Sequence, residues 1–234
     1  MSRLLAVVPA AGSGSRMAVP TRKQFLEIGG RSLLDWSVAA LLDREDIAQC
    51  AVALPAGEHA PSDSEVLNDS RVVICEGGAT RADSVLSGIK ALGADDDDWV
   101  LVHDAARPCL AADDLDRLID RVTEADVGGL LAVPVTDTIK RVDDAQRVSG
   151  TVDRRSLWRA QTPQMFRVAR LREALEHCAQ QEVPVTDEAS AMEALGHPVQ
   201  LVEGNVNNLK VTYPEDMALA THWLTSSPAS AGAA

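Results

Sequence analysis

The run Pro9-Ala10-Ala11-Gly12-Ser13-Gly14-Ser15-Arg16-Met17 follows the first apolar stretch of the chain and has the makings of an anion site. Small side chains let backbone N–H groups approach phosphate oxygens, and Arg16, Arg22 and Lys23 all lie within twelve residues of Gly12. Backbone amides joined by Arg and Lys suit a triphosphate. Neither common phosphate fingerprint is met: position 17 is Met where a dinucleotide motif has Gly or Ala, and no Gly-Lys-Ser/Thr follows. An ordinary strand-to-helix turn with a solvated basic loop accounts for the same residues.

A second group, His103-Asp104-Ala105-Ala106-Arg107-Pro108, comes just past another apolar run. Ligands of open α/β sheets gather outside the carboxyl ends of strands, where Asp104 could hold Mg2+ or a hydroxyl and Arg107 a phosphate. The alternative is an Asp–Arg pair that stabilises a turn. His103, closing an apolar strand, reads as a satisfied structural histidine. Further polar residues fall at predicted element ends: Gly78, Arg81 and Ser84; Thr138 and Lys140; Arg154; Thr162; Thr186-Asp187-Glu188; and Lys210. Singly, each reads as a cap, turn or surface residue, and Thr186-Asp187-Glu188 as a helix start. No Gly-x-Ser-x-Gly or His-Glu-x-x-His signature occurs, so the substrates must supply any nucleophile.

The elements that must position these residues alternate. Leu4–Val8, Val72–Cys75, Trp99–His103 and Leu130–Val135 read as strands, and the spacing of Leu34, Val38, Leu41 and Leu42 marks a helix. Val85 to Leu92 and Leu115 to Val122 give two more helical stripes. This rhythm predicts an α/β fold with a mostly parallel sheet flanked by helices. From Lys140 to Trp158 the chain is polar and charged, as in a protruding β-arm spanning about 138–158. Beyond it, helices are predicted around Leu171 and Leu175 and over Ala189–Leu195, and strands at Val199–Val202 and Leu209–Val211. Thr212-Tyr213-Pro214-Glu215 has the pattern of a capping box opening a last helix. Residues 1–225 read as a single domain and 226–234 as a disordered tail.

Composition narrows the function. The chain has 234 residues with 22 Lys+Arg and 35 Asp+Glu, a net charge of −13 that speaks against coating nucleic acid or an anionic membrane. The longest apolar run, Leu4 to Ala11, is far short of the roughly 20 residues needed to cross a bilayer. Cys50, Cys75, Cys109 and Cys178 show no metal or redox spacing and suit reduced thiols in a cytoplasmic protein. Asp95 to Asp98 read as a solvated loop. The charge is segregated: residues 1–31 carry five Lys/Arg against one acid, and residues 140–172 nine against three. A small polyanion in a locally basic pocket remains open.

The motifs in order resemble one family. Ala10 to Met17 with Lys23-Gln24, Gly77 to Val85, Val102 to Pro108, Asp137-Thr138-Ile139-Lys140, Thr162-Pro163-Gln164, Thr186 to Ser190 and Asn208 to Thr212 are similar to 2-C-methyl-D-erythritol 4-phosphate cytidylyltransferases across about residues 3–224. The resemblance implies a Rossmann-like nucleotidyltransferase fold and transfer of CMP from CTP to a sugar-alcohol phosphate, with Mg2+ and release of pyrophosphate. It implies catalytic roles for Arg16 and Lys23 on the triphosphate, and a nucleotide site of Ala10, Ala11, Gly12, Gly78, Ala82 and Ser84. It places Asp104, Arg107, Thr138, Arg154, Thr162, Thr186 and Lys210 on the acceptor side, with Asp104 as metal ligand. It also implies a homodimer with arm exchange, so that Thr138 and Arg154 act in the partner's site. A ribitol 5-phosphate cytidylyltransferase and a non-catalytic nucleotide-binding module are the alternatives. Two positions depart from the family pattern: Arg22 stands where Pro usually precedes the lysine, with Pro20 two residues earlier, and Ala79 where an acid is common.

Overall fold

The computed structural model describes residues 2–12 and 22–226. Its centre is a sheet of seven strands: β1 (Leu4–Pro9), β4 (Ile47–Leu54), β5 (Val72–Glu76), β6 (Trp99–Val102), β7 (Gly129–Pro134), β10 (Trp158–Arg167) and β11 (Gln200–Glu203). Their order across the sheet is β11-β7-β10-β6-β1-β4-β5. All neighbours pair parallel except β10, which runs antiparallel to both β6 and β7. Two short hairpins complete the β structure: β2 (Glu27–Ile28) with β3 (Arg31–Ser32), and β8 (Ile139–Val142) with β9 (Val148–Val152).

Successive side chains of a strand point to opposite faces, and β1 shows the result. Leu5 and Val7 enter a cluster with Val85, Ile89, Phe166, Leu171 and Leu175. Ala6 and Val8 enter another with Leu34, Val38, Leu41, Leu115 and Leu118. The first face is covered by α2 (Arg81–Ala91), α4 (Val168–Gln180) and α5 (Glu188–Ala194), the second by α1 (Leu33–Leu42) and α3 (Ala112–Ala125). With both faces covered, the inner strands are continuous apolar runs. The last helix, α6 (Pro214–Ser226), joins a third small cluster through Ala220, with Ile28, Leu33 and Val211. No helix among the described residues is long and apolar enough to cross a membrane.

The expected strands, helices and arm are present, with five differences. The sequence pattern does not mark β4, because Ala, Gln and Cys give its first half little β character. Nor does it mark the central strand β10: Trp158-Arg159-Ala160-Gln161-Thr162-Pro163-Gln164 continues the polar composition of the arm and has no alternation. Leu209–Val211 is not a strand; it is tied down by single bonds such as Val211 N–H to the Ala106 carbonyl, 2.8 Å. The helix α6 does begin with Pro214, but Asp216 and not Glu215 reaches back, accepting from the N–H groups of Thr212 (2.8 Å) and Tyr213 (2.9 Å). Ser226, expected to open the tail, is the last residue of α6, and residues 227–234 lie outside the described residues.

Candidate active site

Among the described residues, the candidate site residues named from the sequence, apart from those on the arm and Ala82, converge on one end of the sheet. The chain leaves β1, β5, β6 and β11 there, and antiparallel β10 brings its N-terminal half to the same end. Two adjoining cavities result. One, of about 320 Å3, is lined by Pro9 to Gly12, Lys23, Gln24, Gly78 to Arg81, Ser84, Asp104, Ala105, Ala106, Lys210 and Thr212. The other, of about 270 Å3, lies among Arg107, Ala160 to Thr162, Gln164, Thr186 and Asp187. Arg81, Asp104 and Lys210 line both.

The first cavity has walls of backbone and small side chains. A Cβ on Gly77 would lie 2.6 Å from the Ala11 methyl, and one on Gly78 would collide with Asp83, so neither position has room for a side chain. Thr80 caps α2 in a reciprocal box with Asp83, which fixes this turn. The Ser84 hydroxyl accepts from the Gly78 N–H (3.1 Å) and donates to the Thr80 carbonyl (2.9 Å), so it shapes the loop it was expected to serve. Buried Gln24 donates to the Ala10 carbonyl at 2.7 Å and holds β1's exit against the 3-10 turn Lys23–Phe25. Lys23 donates from Nζ to the Val211 carbonyl at 2.8 Å. Arg22, despite its departure from the family pattern, has φ −60°, the value proline would impose, with ψ 136°, and pairs with Glu58 at 2.5 Å. Ala79 faces the cavity with only a methyl group.

The second cavity is bounded by interlocked charges. Asp104 meets Arg81 Nε at 3.1 Å through Oδ1, and Lys210 Nζ at 2.8 Å and Arg107 Nε at 3.5 Å through Oδ2. Burial alone would raise the Asp104 pKa, but these three cations outweigh it and hold the carboxyl well below the usual carboxylate range. The Asp104 N–H donates to Thr162 Oγ1 at 3.0 Å, and that hydroxyl also contacts His103 Nδ1 at 3.0 Å. His103 is the structural histidine expected: its Nε2 lies 3.1 Å from the Arg107 carbonyl oxygen, and burial pushes its pKa down to about 4 despite Asp104. Arg107 donates to the carbonyls of Asn208 (2.7 Å) and Ala160 (3.3 Å), which ties together the segments before Lys210 and Thr162. Its guanidinium is a brace between them.

Two charged residues outside the expected site complete this wall. Arg81 sends Nη1 and Nη2 to the Glu188 carboxylate at 2.5 and 3.1 Å while its Nε stays on Asp104. Glu188 is fully buried, and burial raises its pKa against the pull of Arg81. In sequence, Glu188 reads as part of a helix start, and that is also true: Asp187 caps α5 in a reciprocal box with Ser190. Nothing local marks a carboxylate as buried when its partner is 107 residues away.

Three expected site residues lie elsewhere in this chain. Ala82 packs against the cluster under α2 and lines neither cavity. Thr138 and Arg154 sit at the base of the arm, exposed and outside both cavities, with Arg154 donating to the Thr136 carbonyl. Arg16 lies outside the described residues. No group of three or more His, Cys, Asp or Glu side chains able to hold a metal occurs among the described residues.

Known proteins share this sequence pattern and fold. The family model described as "IspD: 2-C-methyl-D-erythritol 4-phosphate cytidylyltransferase" matches residues 4–226. The chain is 52% identical over 230 residues to the protein of that name from Dechloromonas aromatica (strain RCB), covering 94% of this chain and 96% of the relative. It is 50% identical over 215 residues to the one from Ectopseudomonas mendocina (strain ymp), covering 91% and 92%. The crystal structure of the Francisella tularensis protein superposes with a TM-score of 0.81 at 32% identity, covering 95% of this chain and all (100%) of that one. The fold is thus the Rossmann-like nucleotidyltransferase fold, with its mostly parallel sheet between helices.

Proposed function

The chain belongs to the 2-C-methyl-D-erythritol 4-phosphate cytidylyltransferase family, and from that premise we propose how its two cavities divide the work. The enzyme transfers the cytidylyl group of CTP to 2-C-methyl-D-erythritol 4-phosphate in the non-mevalonate route to isoprenoid precursors, and pyrophosphate is the other product. The observation that carries the division is the shared wall: Arg81, Asp104 and Lys210 line both cavities. CTP occupies the cavity walled by backbone and small residues, Ala10, Ala11, Gly12, Gly78 and Ser84. The acceptor occupies the one beside Thr162 and Thr186.

The acceptor supplies its own nucleophile. A phosphate monoester has its second pKa at about 6, so at neutral pH it is mostly dianionic and needs no general base. One of its oxygens bonds to the α-phosphorus of CTP as the bond from that phosphorus to the α–β bridging oxygen breaks, and the electron pair leaves on pyrophosphate. The task for the protein is positioning two anions and stabilising the charge that builds between them. Lys23 and Arg16 act on the triphosphate. Lys210 and Arg107 act on the acceptor's phosphate, and Asp104 holds both cations, Lys210 at the boundary between the cavities.

Asp104 is the one acid lining the nucleotide cavity among the described residues. That suits Mg2+, which keeps several waters and is commonly held by one or two carboxylates together with substrate phosphates. Asp104 is the residue that would hold it; when bound, Mg2+ neutralises charge on the phosphates. Thr138 and Arg154, at the base of an arm with exposed Val142 and Val148, fit a homodimer in which each arm completes the partner's acceptor site. Residues 1–225 form one catalytic domain on this reading, and four unpaired cysteines support a cytoplasmic setting. Pyrophosphate release, measured with CTP and each acceptor in turn, tests the assignment. Release with 2-C-methyl-D-erythritol 4-phosphate is expected; a preference for ribitol 5-phosphate, or no release with either, would overturn it.

A further inference from the structure

The wall shared by the two cavities contains a carboxylate for which the reaction has no direct use. Glu188 is fully buried, touches neither cavity, and is bonded through both oxygens to Arg81. A buried ion pair is weak support for stability, since desolvation of two charges commonly matches or exceeds their attraction. Its place in the fold is more telling. Glu188 directly follows Thr186 and Asp187, which line the acceptor cavity, and its partner Arg81 opens α2 beside Gly78 to Thr80, which line the nucleotide cavity.

The three cations on Asp104 are not equivalent. All three guanidinium nitrogens of Arg81 are bonded to carboxylates, two of them to Glu188. Lys210 reaches Asp104 with a single ammonium group on a flexible stem, and its side chain is 40% exposed against 28% for Arg81. Without Glu188, Arg81 would carry two vacant donors facing a cavity that takes a polyanion. It would then bind ground-state phosphate and leave Asp104, an interaction that tightens binding without lowering the barrier.

We propose that Glu188 is a positioning residue for cytidylyl transfer, acting through Arg81: it keeps that guanidinium as a fixed strut behind Asp104, so that Lys210 remains the cation presented to the phosphates. The inference rests on the functional reading above and assigns a role to the side of the wall that no substrate touches. Loss of the Glu188 charge should slow turnover while CTP binding stays as tight or becomes tighter. A collapsed site would weaken both.

The test uses the full chain, with CTP affinity measured by calorimetry and turnover by pyrophosphate release. The Glu188→Gln variant is expected to lose tenfold or more in kcat, with its Kd for CTP unchanged within threefold or lower. Wild-type kcat in that variant, or a Kd weakened in step with kcat, would overturn the proposal. The double variant Arg81→Gln/Glu188→Gln removes both charges together, leaves no buried charge unpaired, and serves where the single variant does not fold. It should be as slow as Arg81→Gln alone within threefold, whereas multiplied losses would show that Glu188 acts independently of Arg81. Where the double variant alone is available, wild-type kcat in it would overturn the proposal. Wild-type protein inactive towards both substrates would instead remove the functional reading itself.

Discussion

The wall around the cavity proposed for the nucleotide and the wall around the one proposed for the acceptor are built from opposite materials. Pro9 to Gly12 and Gly77 to Ser84 form two short stretches whose shape comes from backbone, glycine and a capping box, with Ser84 and Gln24 bonded to main chain. The acceptor wall gathers Arg81, Asp104, Arg107, Thr162, Glu188, Asn208 and Lys210 from separate elements, each holding another in place. The first construction leaves no room for a side chain at Gly77 or Gly78 but should survive removal of a charge at its rim. The second admits no removal from its centre. Stability and catalysis should therefore separate on one wall and fail together on the other.

The sharpest contrast is between Asp104 and Lys23. Asp104→Ala leaves three cations without their common partner, and breaking such a buried pair costs about 3–5 kcal/mol. Urea unfolding should show that loss together with abolished turnover; an unchanged midpoint would mean the wall is not mutually dependent. Lys23→Ala removes a charge from the nucleotide rim. It should lower kcat on the order of 10²–10³-fold, as for loss of one preorganised contact to developing charge, with stability changed by only about 1 kcal/mol. A Lys23→Ala enzyme with wild-type turnover would take that residue out of the reaction.

A smaller effect tests the acceptor wall by pH. His103 is neutral in the folded state, with its pKa at about 4 against 6.5 for the free side chain. As pH falls from 6.5 to 4, the unfolded chain takes up a proton that the folded chain refuses. The stability from this group is therefore present above pH 6.5 and lost as pH falls towards 4, on the order of 3 kcal/mol in all. Denaturation midpoints across that range should slope downward in the wild type, and His103→Gln should flatten the slope. The smallest expected effect is at the arm. Arg154→Ala should leave stability within about 0.5 kcal/mol, as for an exposed residue, and should raise KM for the acceptor while sparing KM for CTP. An unchanged acceptor KM would remove the arm from the site.

The same contrast explains what can be read from the sequence. Much of the nucleotide wall comes from two short unbroken stretches, so Gly12, Gly78 and the strands before them announce themselves by composition and spacing. Asp104 is also visible, because it directly follows an apolar run. Glu188 is not, since Thr186-Asp187-Glu188 satisfies a helix cap locally and its burial depends on Arg81 in another element. Thr162 is recognisable but not its task, which is to accept from the Asp104 N–H and set that carboxylate's backbone. The strand β10 escapes because its polar residues, Gln161, Thr162 and Gln164, are buried by partners distant in sequence. Periodicity reports a residue's neighbours along the chain; this strand is defined by its neighbours across it.

That strand also sets a timetable for synthesis. The parallel unit β5-β4-β1-β6 is complete once residue 102 has been made, yet the free edge of β6 waits for β10, whose last residue is 167. At about 5–20 residues per second, a nascent chain carries that unpaired edge for several seconds. An open row of N–H and C=O groups beside Val100 and Val102 invites pairing with another chain during this interval. β7, made earlier at 129–134, must stand off by one strand's width and leave the gap unfilled. The centre of the finished sheet thus closes only after both of its immediate neighbours, β6 and β7, have been made.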